Sequence, residues 1–172
     1  MDIKYFDTPW LHAVVDDFLP QELLDEVMEI YNTQNIIYPS PGIASAGIKE
    51  PLNSQITEIA KEFINKAFSK LNITNRKGSL DKIRNLIVFR IPNHKYEVHA
   101  DSPEKLLSIV VYLVPNQADG TSIHNIDQSY SHDVEWKVNR ALAFVPSKNT
   151  WHSIDSKVST DRVTLNINVM LD

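Results

Sequence analysis

The hydrophobic pattern of the chain changes its period once. Residues 19–31, LPQELLDEVMEIY, set Leu23, Leu24, Val27, Met28 and Tyr31 three and four positions apart, the stripe of an amphipathic helix, with Pro20 suited to its first turn. The stretch 51–71, PLNSQITEIAKEFINKAFSKL, repeats more strongly through Leu52, Ile56, Ile59, Ala60, Phe63, Ile64, Ala67 and Leu71 and predicts a second helix. Between them residues 32–50, with Pro39, Pro41, Gly42 and Gly47, read as a long loop, either a lid over a binding site or a plain connector. From residue 82 alternation takes over. The segments 82–92, 105–115, 120–125, 132–138, 140–146, 151–155 and 161–171 are short strand candidates separated by Pro, Asn, Asp and Gly. Helices followed by a run of antiparallel strands predict an α+β chain whose body is a β-sandwich or jelly roll. One domain over 1–172 is expected, with 1–80 as helical support plus the loop and 81–172 as the roll.

Alternation also sorts side chains by face. On 161–171 one face carries Val163, Leu165, Ile167, Val169 and Leu171, and the other Arg162, Thr164, Asn166, Asn168 and Met170. Segment 105–115 divides alike, with Ser108 and Tyr112 opposite Leu107, Ile109, Val111 and Leu113. A polar strand face is ordinary where it meets water. In a roll whose outer face packs on the two helices, however, the polar faces line a wet cavity, and an inward Arg162 needs an anionic partner.

Composition narrows the chemistry. Seventeen Lys and Arg against 22 Asp and Glu, a formal charge of -5, give no basic excess to hold a phosphate backbone, so nucleic acid is not the expected partner. The absence of cysteine removes disulfides, thiolate metal sites and thiol nucleophiles together. Any metal must be held by His and carboxylate. The first 20 residues carry charges at short intervals, and no stretch approaches a membrane span of roughly 20 apolar residues, which leads to the expectation of a soluble, cytoplasmic protein with no signal peptide.

The sequence YEVHADSPEK sets His99 two positions from Asp101, so in extended chain both project to one side. Taken alone, His-x-Asp is more often a polar turn than half of a metal site. A later His152 in KNTWHSID, followed ten residues on by Arg162, changes that reading. Two His and one Asp form a facial triad that leaves three octahedral positions open, the arrangement suited to non-haem Fe(II).

At these residues the sequence resembles the 2-oxoglutarate and Fe(II)-dependent oxygenases. The matching pieces occur in order as YEVHAD, LLSIVVYLVP, NRALAFVPSKNTWHSI and DRVTLNINVML, covering about residues 84–172. The resemblance implies a double-stranded β-helix, the cupin-like jelly roll, with iron on His99, Asp101 and His152. It implies that Arg162 pairs with the far carboxylate of 2-oxoglutarate and that Thr164 and Tyr112 supply hydroxyl donors to it. The Tyr-x-x-His-x-Asp spacing from Tyr96 resembles the prolyl-4-hydroxylase-like subgroup, and Tyr96 is a candidate substrate contact. By that resemblance the expected reaction is hydroxylation of an unactivated C–H bond, with 2-oxoglutarate converted to succinate and CO2, dioxygen consumed and ascorbate a candidate stimulant. The substrate expected first is a peptidyl proline; a free amino acid or other small molecule is the alternative, and a non-catalytic cupin-like binding module the alternative of another class.

Other residues keep two readings. Tyr112 is a cosubstrate donor or a core tyrosine, and Arg90 binds substrate or caps a strand. Trp151, beside His152, is a substrate contact or packing, and Trp136 reads as packing. His12, His94, His124 and His132 read as surface or loop histidines, His124 being the one expected to point inward. The family's Gly-Gly-Glu after the tyrosine strand is reduced here to Gly120, and Asn139 stands at a family glycine where it tolerates a left-handed backbone. Asn168 stands where nucleic-acid demethylases of the family carry a second arginine.

Overall fold

A computed structural model describes residues 1–33, 36–39, 42–73 and 78–171. In chain order its elements are β1 (Ile3–Phe6), β2 (His12–Val15), α1 (Gln21–Thr33), β3 (Ile43–Gly47), α2 (Leu52–Ala67), β4 (Gly78–Arg90) and β5 (Lys95–His99). They continue with β6 (Lys105–Val114), β7 (Thr121–His124), β8 (Tyr130–Val134), β9 (Ala141–Phe144), β10 (His152–Asp155) and β11 (Arg162–Leu171). The strands form a seven-stranded sheet in the order β1-β2-β9-β6-β11-β4-β3 and a four-stranded sheet in the order β5-β10-β7-β8. Every pairing is antiparallel. From β4 onward the chain passes back and forth between the sheets, the topology of a jelly roll.

The two faces of the large sheet have different partners. Ile87 and Phe89 of β4, Ile109 and Val111 of β6, and Val163, Leu165, Ile167 and Val169 of β11 are fully buried, in one apolar cluster with Leu24 and Val27 of α1 and Ile56, Phe63 and Ile64 of α2. Residues of the helical stripes read from the sequence share this cluster, and Phe18 and Phe63 add an edge-on ring contact. Asn85 on β4 donates from its side-chain amide to Thr57 Oγ1 and Asn53 Oδ1, both at 2.9 Å, tying α2 to the sheet. On the opposite face a smaller cluster joins Tyr112, Leu142 and Phe144 of the large sheet to Ile123 and Val134 of the small one. This second interior holds the polar side chains.

Several sequence expectations change here. The N-terminal part is not only helical support: β1 and β2 extend the large sheet through the pairing of β2 with β9. Residues 43–47, expected within a loop, form β3 and pair with β4 from Ile43↔Arg90 to Gly47↔Leu86. Residues 34, 35, 40 and 41 of that expected loop lie outside the described residues. The strand expected at 132–138 is displaced to Tyr130–Val134. Beyond it, Trp136 turns in to stack on Tyr112, with ring centroids 4.5 Å apart, and donates to the Pro115 carbonyl at 2.7 Å. Asn139 is left-handed at φ 64°, and its side chain bonds the Leu19 N–H at 2.9 Å and carbonyl at 2.8 Å. His12, read as a surface or loop histidine, is buried in β2, and His94, in the loop before β5, is buried as well. His124 is buried as expected and shares a hydrogen bond with Ser153 Oγ at 2.8 Å. Among the described residues no helix is long and apolar enough to cross a membrane.

Candidate metal and anion site

Strand pairing brings the triad together. His99 ends β5, His152 begins β10, and the two are direct register partners, with ring centroids 4.2 Å apart. Asp101 follows β5 by two residues, and its Oδ1 lies 4.0 Å from His99 Nε2 and 3.8 Å from His152 Nε2. All three ligand atoms fall within 4.8 Å of one another, a spacing that can hold one metal ion.

The surroundings prepare each ligand atom. His99 Nδ1 lies 2.9 Å from the Glu97 carbonyl and His152 Nδ1 lies 3.0 Å from the Thr150 carbonyl. A carbonyl only accepts, so each Nδ1 carries the proton and each Nε2 keeps its lone pair directed at the triad centre. Burial pushes both imidazoles below their ordinary value, His152 to about 4, and for His152 the neighbouring His99 adds to the effect. Both are therefore neutral at pH 7. Asp101 is oriented in the same way: its Oδ2 accepts from Ser108 Oγ at 2.5 Å and from Lys105 Nζ at 3.0 Å, which leaves Oδ1 for a metal. Burial raises the Asp101 carboxyl, but Lys105, His152 and the Ser108 hydroxyl together outweigh it and leave the group below its usual range. A set of two neutral imidazoles and one carboxylate suits a divalent first-row metal.

The triad opens onto a cavity of about 190 Å³ whose lining includes Arg90, Tyr96, Val110, Thr121, Phe144 and Arg162. Arg162 is the first residue of β11 and is fully buried. Its guanidinium lies 4.8 Å from the centre of the Trp136 ring and 5.6 Å from that of Tyr112. One Nη2 donates to the Gly120 carbonyl at 3.4 Å, whereas Nε and Nη1 have no partner. Burial pushes its pKa down toward about 9, so it remains a cation at neutral pH. Gly120 is required here, because a Cβ would stand 1.8 Å from the Val134 carbonyl oxygen. A buried cation with two unsatisfied donors is costly unless an anion completes it.

The remaining sequence candidates divide. Tyr96 lines the cavity and lies against His99, with ring centroids 4.1 Å apart. Arg90 is buried, lines the cavity and also has unpartnered Nε and Nη1 atoms. Tyr112 is fully buried beside Arg162, but its hydroxyl donates to Thr121 Oγ1 at 2.8 Å, and it is Thr121 that faces the cavity. Thr164 pairs with Tyr112 across the strands and donates to Asn166 Oδ1 at 2.8 Å. Trp151 does not line the cavity; its carbonyl accepts from the His124 N–H at 3.0 Å. Sequence reasoning missed Lys105 and Thr121. Lys105 stands four residues after Asp101, and the inward parity of Ser108 was the available sign that a polar group would meet the carboxylate.

No protein-family model matches the sequence, and no curated protein matches it. Solved structures do match. A Pseudomonas putida prolyl-4-hydroxylase aligns over 94% of this chain and 92% of its own at 15% identity, with a TM-score of 0.71. The viral collagen prolyl hydroxylase of Paramecium Bursaria Chlorella virus-1, solved with 2OG, aligns over 94% and 96% at 16% identity and 0.69. The fold is theirs. A Trichoplax adhaerens prolyl hydroxylase, in complex with a hypoxia inducible factor oxygen degradation domain peptide fragment, aligns over 92% and 83% at 13% identity and 0.63. The structures this chain resembles thus include prolyl-4-hydroxylases and a 2OG-Fe(II) oxygenase family member, at low identity.

Proposed function

We propose that the protein is an Fe(II)- and 2-oxoglutarate-dependent dioxygenase that hydroxylates an unactivated C–H bond, with a prolyl ring as the substrate class put first. The observation that carries this reading is the convergence, in one cavity, of two neutral imidazoles and a carboxylate, His99, His152 and Asp101, with the buried guanidinium of Arg162, whose Nε and Nη1 lack a partner. A metal alone would leave Arg162 unexplained, and an anion alone would leave the two directed Nε2 lone pairs unexplained. A 2-oxo dicarboxylate satisfies both, with its oxo-acid end suited to the metal and its far carboxylate to Arg162. Thr121, Thr164 and Tyr112 would set the polarity of the Arg162 end.

When bound, Fe(II) and 2-oxoglutarate supply the dioxygen-activating chemistry, whose balance is substrate, dioxygen and 2-oxoglutarate giving alcohol, succinate and CO2. The chain's own residues hold and orient. His99 and His152 offer lone pairs fixed by backbone carbonyls, Ser108 and Lys105 keep Asp101 turned, and Arg162 fixes the cosubstrate's far end. No side chain has to act as a general base.

The test is succinate formation from 2-oxoglutarate with added Fe(II) and ascorbate, followed by mass spectrometry of proline-containing peptides for a gain of one oxygen. Absence of both metal-dependent cosubstrate binding and succinate would return the fold to the status of a cupin-like binding module. The prolyl reading is supported by the Tyr96 spacing and by the prolyl hydroxylases among the similar structures. The charge of the cavity supports a second reading, a small molecule with a free carboxylate.

A further inference from the structure

Arg90 and Arg162 are direct register partners on the neighbouring strands β4 and β11, and both line the cavity. Like charges set opposite one another across a strand pair destabilise a sheet, and burial makes that worse. Both side chains are nonetheless buried, and Nε and Nη1 of each lack any partner. One anion explains one of them.

The two guanidinium groups have different neighbours. Arg162 lies over Trp136 and Tyr112 and reaches the Gly120 carbonyl. Arg90 lines the same cavity as Tyr96, His99 and Asp101, and among the described residues its side chain has neither an aromatic face beneath it nor a carbonyl on Nε or Nη1. Among the described residues lining the cavity, three cations, Arg90, Lys105 and Arg162, face the single anion Asp101. Lys105 is paired with Asp101. A divalent metal and a dicarboxylate dianion cancel one another, so loading the site as proposed above leaves the positive excess in place. A second anion is needed near Arg90.

Resting on the dioxygenase reading, we infer that Arg90 anchors a carboxylate of the substrate, so that the molecule hydroxylated is an amino acid, or a peptide end, with its carboxylate free. A neutral internal segment of a peptide would leave Arg90 buried and unpaired beside the reacting carbon. A carboxylate held there would instead fix the substrate by a charge-assisted hydrogen bond close to the metal.

The experiment uses the full chain loaded with Mn(II) in place of iron. Calorimetry first gives the affinity for 2-oxoglutarate of the wild type, R90Q and R162Q. A panel of free L-amino acids and their N-acetyl derivatives, each as acid and as amide, is then titrated into the loaded protein. The same panel is incubated aerobically with Fe(II) and analysed for a gain of one oxygen. At least one acid should bind and be hydroxylated, with its amide about 10- to 100-fold weaker, and R90Q should bring the acid down to the level of the amide. Hydroxylation of a free amino acid assigns a metabolite; hydroxylation only of N-acetyl acids assigns a peptide carboxyl terminus. Either supports the inference. It is overturned if no acid binds better than its amide, if R90Q keeps the preference, or if R90Q weakens 2-oxoglutarate as much as R162Q does, which would place Arg90 in the cosubstrate site. Failure of 2-oxoglutarate to bind any Mn(II)-loaded form would overturn the dioxygenase reading as well, and is seen in the first titration.

Discussion

Replacing Arg162 by Met should move stability and cosubstrate affinity in opposite directions. In the ligand-free protein the guanidinium is fully buried, keeps only a 3.4 Å contact with the Gly120 carbonyl, and leaves Nε and Nη1 unsatisfied. The rings of Trp136 and Tyr112 return part of that cost, roughly 1–2 kcal/mol each for a desolvated cation over an aromatic face. They do not return all of it, because the penalty for burying an ion amounts to several kcal/mol. Methionine fills a similar volume, needs no acceptor and keeps the ring contacts. The free energy of unfolding of the ligand-free protein should therefore rise by about 1–4 kcal/mol. With 2-oxoglutarate the sign reverses, because its far carboxylate would be left buried against apolar surface at a cost of about 3–5 kcal/mol, or roughly 150- to 5,000-fold in dissociation constant. Urea unfolding without ligand and calorimetric titration of 2-oxoglutarate into the Mn(II)-loaded protein measure the two terms separately. An affinity within about 3-fold of wild type, whatever happens to stability, would refute the assignment of Arg162.

The triad predicts that His99→Ala or Asp101→Ala abolishes iron-dependent succinate formation while the far-ultraviolet circular dichroism stays native. Ser108→Ala, which removes only a hydrogen bond that turns Asp101, should weaken Mn(II) binding by about 10- to 100-fold. Because burial holds folded His152 at about 4, below the unfolded value of 6.5, the unfolded chain takes up a proton that the folded one refuses. That contribution to stability is complete above pH 6.5 and lost as pH falls toward 4, about 3 kcal/mol in all. A flat urea midpoint over that range in the metal-free protein would contradict it. Gly120→Ala should destabilise the fold by more than about 3 kcal/mol, since its Cβ would overlap the Val134 carbonyl and neither group is a flexible side-chain end; a thermal melt decides it.

The sequence by itself determined the features that repeat over short distances. The two helices lie where three-and-four spacing placed them, and the long strands β4, β6 and β11 fall close to their predicted bounds, because each buries a continuous row of side chains that a local pattern displays. His99 and Asp101 were legible for the same reason, being two residues apart in extended chain. Strands β1, β2 and β3, of four or five residues, were not legible, and β5 was read only as extended chain around His99. Each is short, and for most of them what makes a strand is a partner far along the chain: β2 is a strand because β9 borders it, β3 because β4 does, and β1 follows by its hairpin with β2. Trp136 left its expected strand because a ring stack with Tyr112 and an indole hydrogen bond outweigh continued alternation.

Only the tertiary structure decided how the polar groups are shared among themselves. It gave the Tyr112 hydroxyl to Thr121 and set Lys105 and Ser108 on the outer oxygen of Asp101. It also placed Arg90 opposite Arg162. Parity along a strand says which face a side chain takes, but register between strands says which neighbour it meets. Register is settled by packing of the whole sheet, where a slip of one residue would turn Val163, Leu165 and Ile167 away from the helices and Arg162 into the apolar core.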